Sequence, residues 1–185
     1  MSEQQIIRDI LSGDHSKFEW LVVKYHTMVF RTAMGFVHSK EDAEDLTQEV
    51  FIRTFQALKT FNGDAEFSTW LYRITVNTSI NHINKSKSKG LFHFAEDLLL
   101  NIFNKASEDK NPQQQLEQNE CNEAIRNAID ALPEKQRTAF VLSKYDDLTQ
   151  KEIATIMQST EGSVEQLLQR AKSNLQKKLS PMVGK

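Results

Sequence analysis

Polar side chains that could recognise nucleic-acid bases follow one ridge of a predicted helix near the middle of the chain. The ridge carries a guanidinium and three amides at helical spacing, from Arg73, Asn77, Asn81 and Asn84. Arg and Asn form hydrogen bonds with base edges, although a polar ridge alone is also typical of a solvated helix face. Asn is a poor helix former, so three of them on one ridge are a local cost that a binding partner could offset.

The residues around this ridge favour nucleic-acid binding over a solvated face. They comprise a loop with an aromatic residue and a glycine (Phe61, Asn62, Gly63, Asp64), an aromatic residue in the first helical turn (Trp70) and a basic run after the ridge (Lys85, Lys87, Lys89). Aromatic rings stack on unpaired bases, and lysines bind phosphates. The pattern therefore indicates a surface for DNA or RNA.

An acidic helix face precedes this region. Asp45, Gln48 and Glu49 surround Ile52 on the polar side of a predicted helix over residues 40–58. A single exposed Ile is normal on any protein surface, yet an apolar residue with a polar rim also resembles a protein-docking site. The residues alone leave both interpretations open.

Two short helices with a tight turn are predicted near the C-terminus. Thr149 and Glu152 form a capping box that starts the first helix, and Thr160 is placed to cap the second. The outer face of the second helix is polar and rich in amides, which is typical of the helix-turn-helix, whose second helix enters the major groove. The alternative is a plain helical hairpin.

Composition excludes several classes of protein. The 185 residues, with 39% apolar and 26% charged, are ordinary for one or two globular domains, and 6 Gly with 3 Pro favour helices. A lone Cys121 excludes an intramolecular disulfide and disfavours a zinc site. The polar N-terminal sequence and the lack of a long apolar run predict a cytoplasmic protein with no membrane insertion.

The charge distribution bears on how the chain would bind DNA. The net charge of −2 argues against strong DNA binding by the chain alone. Residues 1–84 hold 8 Lys and Arg against 11 Asp and Glu, whereas residues 121–185 hold 10 against 8. The N-terminal part is therefore acidic and the C-terminal part basic.

Helical periodicity predicts an all-α fold of two small domains joined by a flexible linker. The helices are expected near residues 3–12, 15–37, 40–58, 66–86, 114–131, 134–145, 150–157 and 161–178, with an irregular stretch up to about 112. An apolar patch in the linker, Leu91 to Phe103, fits either a short helix packed on one domain or a site for a partner.

Three sequence blocks, taken together and in this order, resemble the extracytoplasmic-function (ECF) sigma factors of bacterial RNA polymerase. The blocks are DAEDLTQEVFIRTF at 42–55, FNGDAEFSTWLYRITVN at 61–77, and the segment from ALPEKQRTAF to QRAKSNL at 131–175. The resemblance implies a region 2 domain at 1–87, a linker at 88–112 and a region 4 domain with the helix-turn-helix at 113–180. It also implies a transcription initiation factor that is not an enzyme and has no cofactor, metal or small-molecule substrate.

The same resemblance implies roles for the residues singled out above. Core RNA polymerase would be bound by Asp45, Gln48, Glu49 and Ile52. The minus-ten element would be bound by Phe61, Asn62, Gly63, Asp64, Trp70, Arg73, Asn77, Asn81 and Lys85. Duplex DNA at the minus-thirty-five element would be bound by Thr160, Gly162, Ser163, Glu165, Gln166, Gln169, Arg170 and Ser173. The loop with Asn77 would hold a flipped-out base of the melted strand. An anti-sigma factor is the further expected partner.

Departures from the family pattern concern the second helix of the helix-turn-helix. Many members carry a basic residue where Glu165 stands and an Arg where Leu167 stands. Arg170 is then the expected guanine or phosphate contact, and Glu165 could accept from a cytosine amine.

Two other classes of protein fit the sequence less well. An autonomous helix-turn-helix regulator is disfavoured by the near-neutral charge and by the acidic face. An enzyme is disfavoured because the five His residues are scattered and no phosphate loop or nucleophile elbow is present.

Overall fold

The computed structural model describes residues 2–101 and 113–183, and side chains over 2–85 and 122–180. This part of the chain is helical and contains no β-strand. The helices are α1 (Glu3–Leu11), α2 (Phe18–Val37), α3 (Lys40–Ala57), α4 (Phe67–Asn101), α5 (Gln113–Asp130), α6 (Glu134–Lys144), α7 (Gln150–Ile156) and α8 (Glu161–Val183). Short 3-10 turns at His15–Lys17 and Leu58–Thr60 precede α2 and follow α3. The predicted all-α class is confirmed.

Local sequence signals set the helix ends. The predicted capping box of α7 is present, because Glu152 N donates to Thr149 Oγ1 at 3.3 Å and Thr149 N donates to Glu152 Oε2 at 2.8 Å. Thr160 caps α8 by accepting from Ser163 N at 3.2 Å. At the C-terminal end of α2, His38 adopts a left-handed conformation with φ 58°, which ends the helix before α3.

Helix α4 differs most from the prediction, because it continues past residue 86 to Asn101. The segment contains Leu, Phe, Ala and Glu, which are good or tolerated helix residues, against a single interior glycine, Gly90, that costs about 1 kcal/mol. The first part of the predicted linker is therefore helical. Residues 102–112 of the linker lie outside the described residues, as do the side chains of the apolar patch Leu91 to Phe103.

The N-terminal helices enclose one apolar core. The core is formed by α1, α2, α3 and the start of α4, and its fully buried members include Leu21, Val29, Val50 and Leu71. On α4, Phe67, Tyr72, Val76 and Thr78 are also buried, and Ile74, Ile80 and Ile83 are half-buried. Two sides of α4 are thus occupied by packing, which leaves the polar ridge between them.

The C-terminal helices pack against the N-terminal ones through a shared core. Phe36, Tyr72 and Val76 belong to the same buried cluster as Val141, Leu142, Ile153 and Val164. Burial of this many apolar side chains across the contact makes it resemble a domain core rather than a loose surface encounter.

A polar seam accompanies this shared core. The side chain of Asp146, between α6 and α7, has no exposed surface and accepts from Arg31 Nε at 3.0 Å and from Thr32 Oγ1 at 2.8 Å. Arg137 Nη2 donates to the backbone oxygen of Phe36 and, at 2.5 Å, to Asp130 Oδ1. Buried charges are tolerated when they are paired and hydrogen-bonded, so these contacts fix how the two helical regions meet.

Candidate nucleic-acid interface

The predicted ridge on α4 is exposed except at its first residue. Asn77, Asn81, Asn84 and Lys85 are exposed to solvent, whereas Arg73 is half-buried. Arg73 donates from Nη2 to Thr155 O at 2.7 Å and from Nε to Ile156 O at 3.2 Å. Carbonyls at the C-terminal end of a helix lack intrahelical partners and carry partial negative charge, which makes them good acceptors for a guanidinium. One predicted DNA contact is therefore occupied by α7.

The loop before α4 forms a tight turn. Asn62 Nδ2 donates to Asp64 Oδ2 at 2.5 Å, Asp64 N donates to Asn62 Oδ1 at 3.3 Å, and Gly63 has φ 81°, a conformation that favours glycine. All three residues are exposed. The two hydrogen bonds between Asn62 and Asp64 favour this turn conformation.

The predicted base-stacking aromatics pack on each other. The ring of Phe61 lies 5.3 Å from that of Trp70 and 5.5 Å from that of Phe67, and Trp70 lies 5.6 Å from Phe67. Phe67 is buried, while Phe61 and Trp70 are half-buried against the N-terminal core. Only part of each of these two rings is free to contact a base.

The loop and Asn77 line separate cavities. Phe61, Asn62 and Gly63 line a cavity of about 660 Å³ whose opposite wall is α1. Asn77 and Arg73 line a second one, of about 300 Å³, closed by residues of α6 and by the end of α7. In this arrangement the structure does not bring Asn77 to the loop.

The outer face of α8 is open. The eight predicted minus-thirty-five contacts, Thr160, Gly162, Ser163, Glu165, Gln166, Gln169, Arg170 and Ser173, are all exposed. Gln169 Nε2 donates to Glu165 Oε1 at 3.3 Å, so these two side chains form one polar unit. The buried side of the helix carries Val164 and Ala171, both fully buried.

The acidic face of α3 borders an apolar groove. Ile52 is 58% exposed, and with Gln48 it lines a cavity of about 740 Å³ between α2 and α3. Asp45 is exposed and Glu49 is half-buried, and Glu49 Oε1 accepts from Arg53 Nη2 at 2.6 Å. A half-open apolar surface with a charged rim is typical of protein-docking sites.

Sequence reasoning missed residues in both of these surfaces. Val22, His26 and Phe30 of α2 line the groove beside Ile52, and Glu3, Gln4 and Arg8 of α1 line the loop cavity. For the groove, the broad apolar pattern of α2 was a signal. For the loop cavity the sequence contained no such signal, because the pattern of α1 is that of an ordinary amphipathic helix.

Two findings limit other kinds of site. Over the side chains that the structure describes, no group of three or more His, Cys, Asp or Glu residues could hold a metal ion. In the same part of the chain, no helix is long and apolar enough to cross a membrane.

Two family models match the two helical regions. Residues 21–89 match the model described as Sigma-70 region 2, and residues 122–175 match Sigma-70, region 4. Together they cover more than half of the chain. The chain belongs to the sigma-70 family of RNA polymerase sigma factors.

Curated relatives indicate which group of sigma factors the chain resembles. The chain is 34% identical over 184 residues to the RNA polymerase sigma-H factor of Pseudomonas aeruginosa, covering 98% of this chain and 95% of the relative. It is 31% identical over 186 residues to the ECF RNA polymerase sigma-E factor of Escherichia coli K12, covering 99% and 97%. These similarities confirm the resemblance to the ECF group and its role in promoter recognition during transcription initiation.

Solved structures support the fold. CnrH, solved in complex with the cytosolic domain of CnrY, matches with a TM-score of 0.63 at 22% identity, over 97% of each chain. RpoE of Bartonella quintana, solved in complex with the anti-sigma factor NepR, matches with a TM-score of 0.57 at 19% identity, over 88% of this chain and 96% of that one.

Proposed function

We propose that the chain binds core RNA polymerase, recognises a two-part promoter and helps to separate the DNA strands at the minus-ten element. Residues 1–87 would serve as the region 2 domain, 88–112 as the linker and 113–180 as the region 4 domain. The observation that carries the proposal is the outer face of α8, where every predicted contact is exposed on a capped helix that follows α7. A helix in this position fits the major groove.

Polymerase binding is assigned to the groove between α2 and α3. Ile52 and Gln48 line it, and Asp45 and Glu49 supply acidic charge on the same helix, α3. An apolar centre gives binding energy, and surrounding charge gives orientation. The expected partner surface is therefore apolar at its centre and basic around it.

Minus-ten binding is assigned to the loop and to the ridge of α4. Extruding a base costs a few kcal/mol, while stacking on an aromatic ring returns about 1–3 kcal/mol for each base. The half-buried rings of Phe61 and Trp70, with the exposed amides of Asn62, Asn77 and Asn81, supply stacking and hydrogen bonds. Binding and melting can thus occur together without hydrolysis of a nucleotide.

The packing of the two regions implies an order of events. Arg73 contacts DNA only after its hydrogen bonds to Thr155 and Ile156 are released. The Ile52 groove needs no such release, because Ile52 is already 58% exposed. Polymerase would therefore bind first, and the C-terminal helices would leave α4 before the minus-ten element is bound.

The proposal also includes an anti-sigma factor as a partner, on the precedent of RpoE of Bartonella quintana, which was solved in complex with the anti-sigma factor NepR. It assigns the chain no catalytic reaction and no cofactor, and it places the chain inside the cell with the polymerase. An autonomous helix-turn-helix regulator remains the rival against which the experiment is designed.

Reconstituted transcription tests the proposal. The purified chain with core polymerase should give promoter-specific transcripts from a linear template, whereas the chain alone should bind duplex DNA weakly. Tight duplex binding without core would contradict the proposal and favour the regulator. As a sharper probe, Asn77→Ala should lower promoter opening, measured by permanganate reactivity of unpaired thymines, while core binding stays unchanged. An equal loss of core binding would remove Asn77 from the DNA site.

A further inference from the structure

The cavity beside the loop has a second wall that the loop assignment leaves without a role. Residues of helix α1 line this cavity together with Phe61 and Asn62. Its volume of about 660 Å³ is within the range of pockets that hold small ligands. Phe67 and Glu3, which belongs to the first turn of α1, also line it. A base held by the loop would therefore meet α1 on its other side.

Glu3 is held in place on one oxygen only. Its Oε2 accepts from Lys24 Nζ at 2.6 Å and from Tyr25 OH at 2.5 Å. Burial and the bond to Glu3 raise the pKa of Tyr25 to about 12, so the phenol stays a donor at neutral pH. Within the described residues, no hydrogen bond to Oε1 is formed, so a carboxylate that lines the cavity keeps one oxygen able to accept.

A carboxylate oxygen in this position distinguishes bases by their exocyclic groups. It accepts a hydrogen bond from the amine of cytosine or adenine, and it repels the keto oxygen that thymine or guanine presents at the same place. Lys24 offsets the charge of Glu3, which lowers the repulsion between this carboxylate and the phosphates of a bound strand.

We propose that Glu3 is a specificity-determining residue of the minus-ten site, and that it selects an extruded cytosine or adenine through the amine at C4 of the pyrimidine or C6 of the purine. Lys24 and Tyr25 act as positioning residues that direct Oε1 into the cavity. This inference rests on the proposed function, since it requires that the loop holds a base from a melted promoter.

Selection from a promoter library tests the role of Glu3. Holoenzyme is formed with the wild-type chain, Glu3→Gln, Glu3→Asp or Glu19→Gln, and it selects binders from DNA randomised across the minus-ten element. Glutamine can donate as well as accept, and aspartate keeps the charge but withdraws the oxygen. Glu19→Gln is the matched control, because Glu19 is an exposed carboxylate outside the cavity. Circular dichroism confirms that every variant is folded.

The expected result is confined to one position of the selected sequences. With the wild-type chain, cytosine or adenine should be enriched there about tenfold over thymine and guanine, the size of effect that one charge-assisted hydrogen bond gives. Both Glu3 variants should reduce that enrichment to about twofold, as expected when a single such bond is lost, and Glu19→Gln should leave it unchanged. A role for Glu3 that is only structural would weaken binding to all sequences equally.

Other outcomes overturn the inference in distinguishable ways. An unchanged sequence preference with the Glu3 variants would leave the proposed function intact and remove Glu3 from base selection. A change at a position that prefers thymine or guanine would do the same. Absence of any preferred minus-ten sequence with the wild-type chain would overturn both the inference and the proposed function.

Discussion

Gly35 of α2 lies directly against Val141 of α6. A β-carbon added at Gly35 would stand 2.6 Å from Val141 Cγ1, closer than a β-carbon approaches another atom in folded proteins, and 3.0 Å from the ring of Tyr145, which is tighter than most such contacts. With valine at position 141, the N-terminal and C-terminal helices can therefore pack in this arrangement only if residue 35 has no side chain. The contact gives direct experimental control over whether the two regions stay together.

Gly35→Leu should separate the two helical regions. A leucine cannot fit against Val141, and forcing extra atoms into a packed contact costs about 1–3 kcal/mol. The radius of gyration of the free chain, measured by small-angle X-ray scattering, should rise while the helix content stays constant. Val23→Leu on the same helix is the control, because Val23 is 73% exposed. The radius of gyration of this control variant should match that of the wild type. An unchanged radius for Gly35→Leu would contradict the packing.

A disulfide between the two helical regions should instead keep them together. Gly35→Cys combined with Val141→Cys removes the clashing Cγ1 and places two thiols at the close approach, where we expect them to form a disulfide, and Cys121→Ser removes the natural thiol. The oxidised variant should bind core polymerase normally yet give few transcripts, because Arg73 stays on α7. Reductant should restore transcription. Full transcription from chains shown by thiol titration to be oxidised would exclude the proposed order of events, and Cys121→Ser alone serves as the control.

Asp146 should make the packing weaker as pH rises. Burial raises the pKa of its carboxyl above 3.8, an effect that hydrogen bonds from Thr32 and Arg31 only partly offset, with Asp147 adding repulsion. Its contribution to stability is thus fully present below pH 3.8 and is lost as pH rises through the folded pKa.

Asp146→Asn isolates this contribution, since the amide resembles the protonated acid. The free energies of unfolding of wild type and variant, from urea titrations at several pH values, should differ increasingly in favour of the variant between acidic and neutral pH. All other titrating groups are common to both chains and cancel in the difference. A difference that does not change with pH, or that favours the wild type as pH rises, would show that the charged carboxylate is stabilising there.

Ile52→Glu should weaken binding to core polymerase by about 2 kcal/mol, the loss expected for an apolar residue at the centre of an interface. The side chain is 58% exposed, so the fold and thermal stability should not change. Fluorescence titration with labelled core measures the affinity. Val23→Glu adds the same charge at an exposed apolar position outside the groove, and an equal loss with that control would mean that charge alone is responsible.

Arg170→Ala should weaken minus-thirty-five recognition by about 1–3 kcal/mol and relax specificity at one base pair. Lys172→Ala removes a cation from an exposed neighbouring position of α8 that is not among the predicted contacts. Binding of holoenzyme to templates with single substitutions in the minus-thirty-five element separates the two variants. An equal loss of affinity for all templates would indicate that Arg170 contacts a phosphate and not a base.

The sequence predicted features that depend on neighbouring residues. The capping box of Thr149 and Glu152 and the cap at Thr160 follow from spacing within one or two turns, and the structure confirms both of them. The family assignment also came from local blocks. Helical periodicity was thus sufficient for the fold class.

The shared core and the polar seam were beyond sequence reasoning. Arg31 and Asp146 are charged residues that would be assigned to the surface, yet their ion pair joins positions 115 residues apart. The role of Arg73 at the end of α7 and the position of α1 beside the loop likewise depend on how distant helices meet. Local propensity does not determine such contacts.

The aromatic cluster at the loop also gives the chain a natural optical reporter. The sequence contains two tryptophans: Trp20 lies under Lys24 on α2, 42% exposed, and Trp70 packs against Phe61. In a Trp20→Phe chain, all indole emission would arise from Trp70. Movement of the Phe61 ring towards a bound base would then alter the emission spectrum in real time, with no dye attached to either protein or DNA.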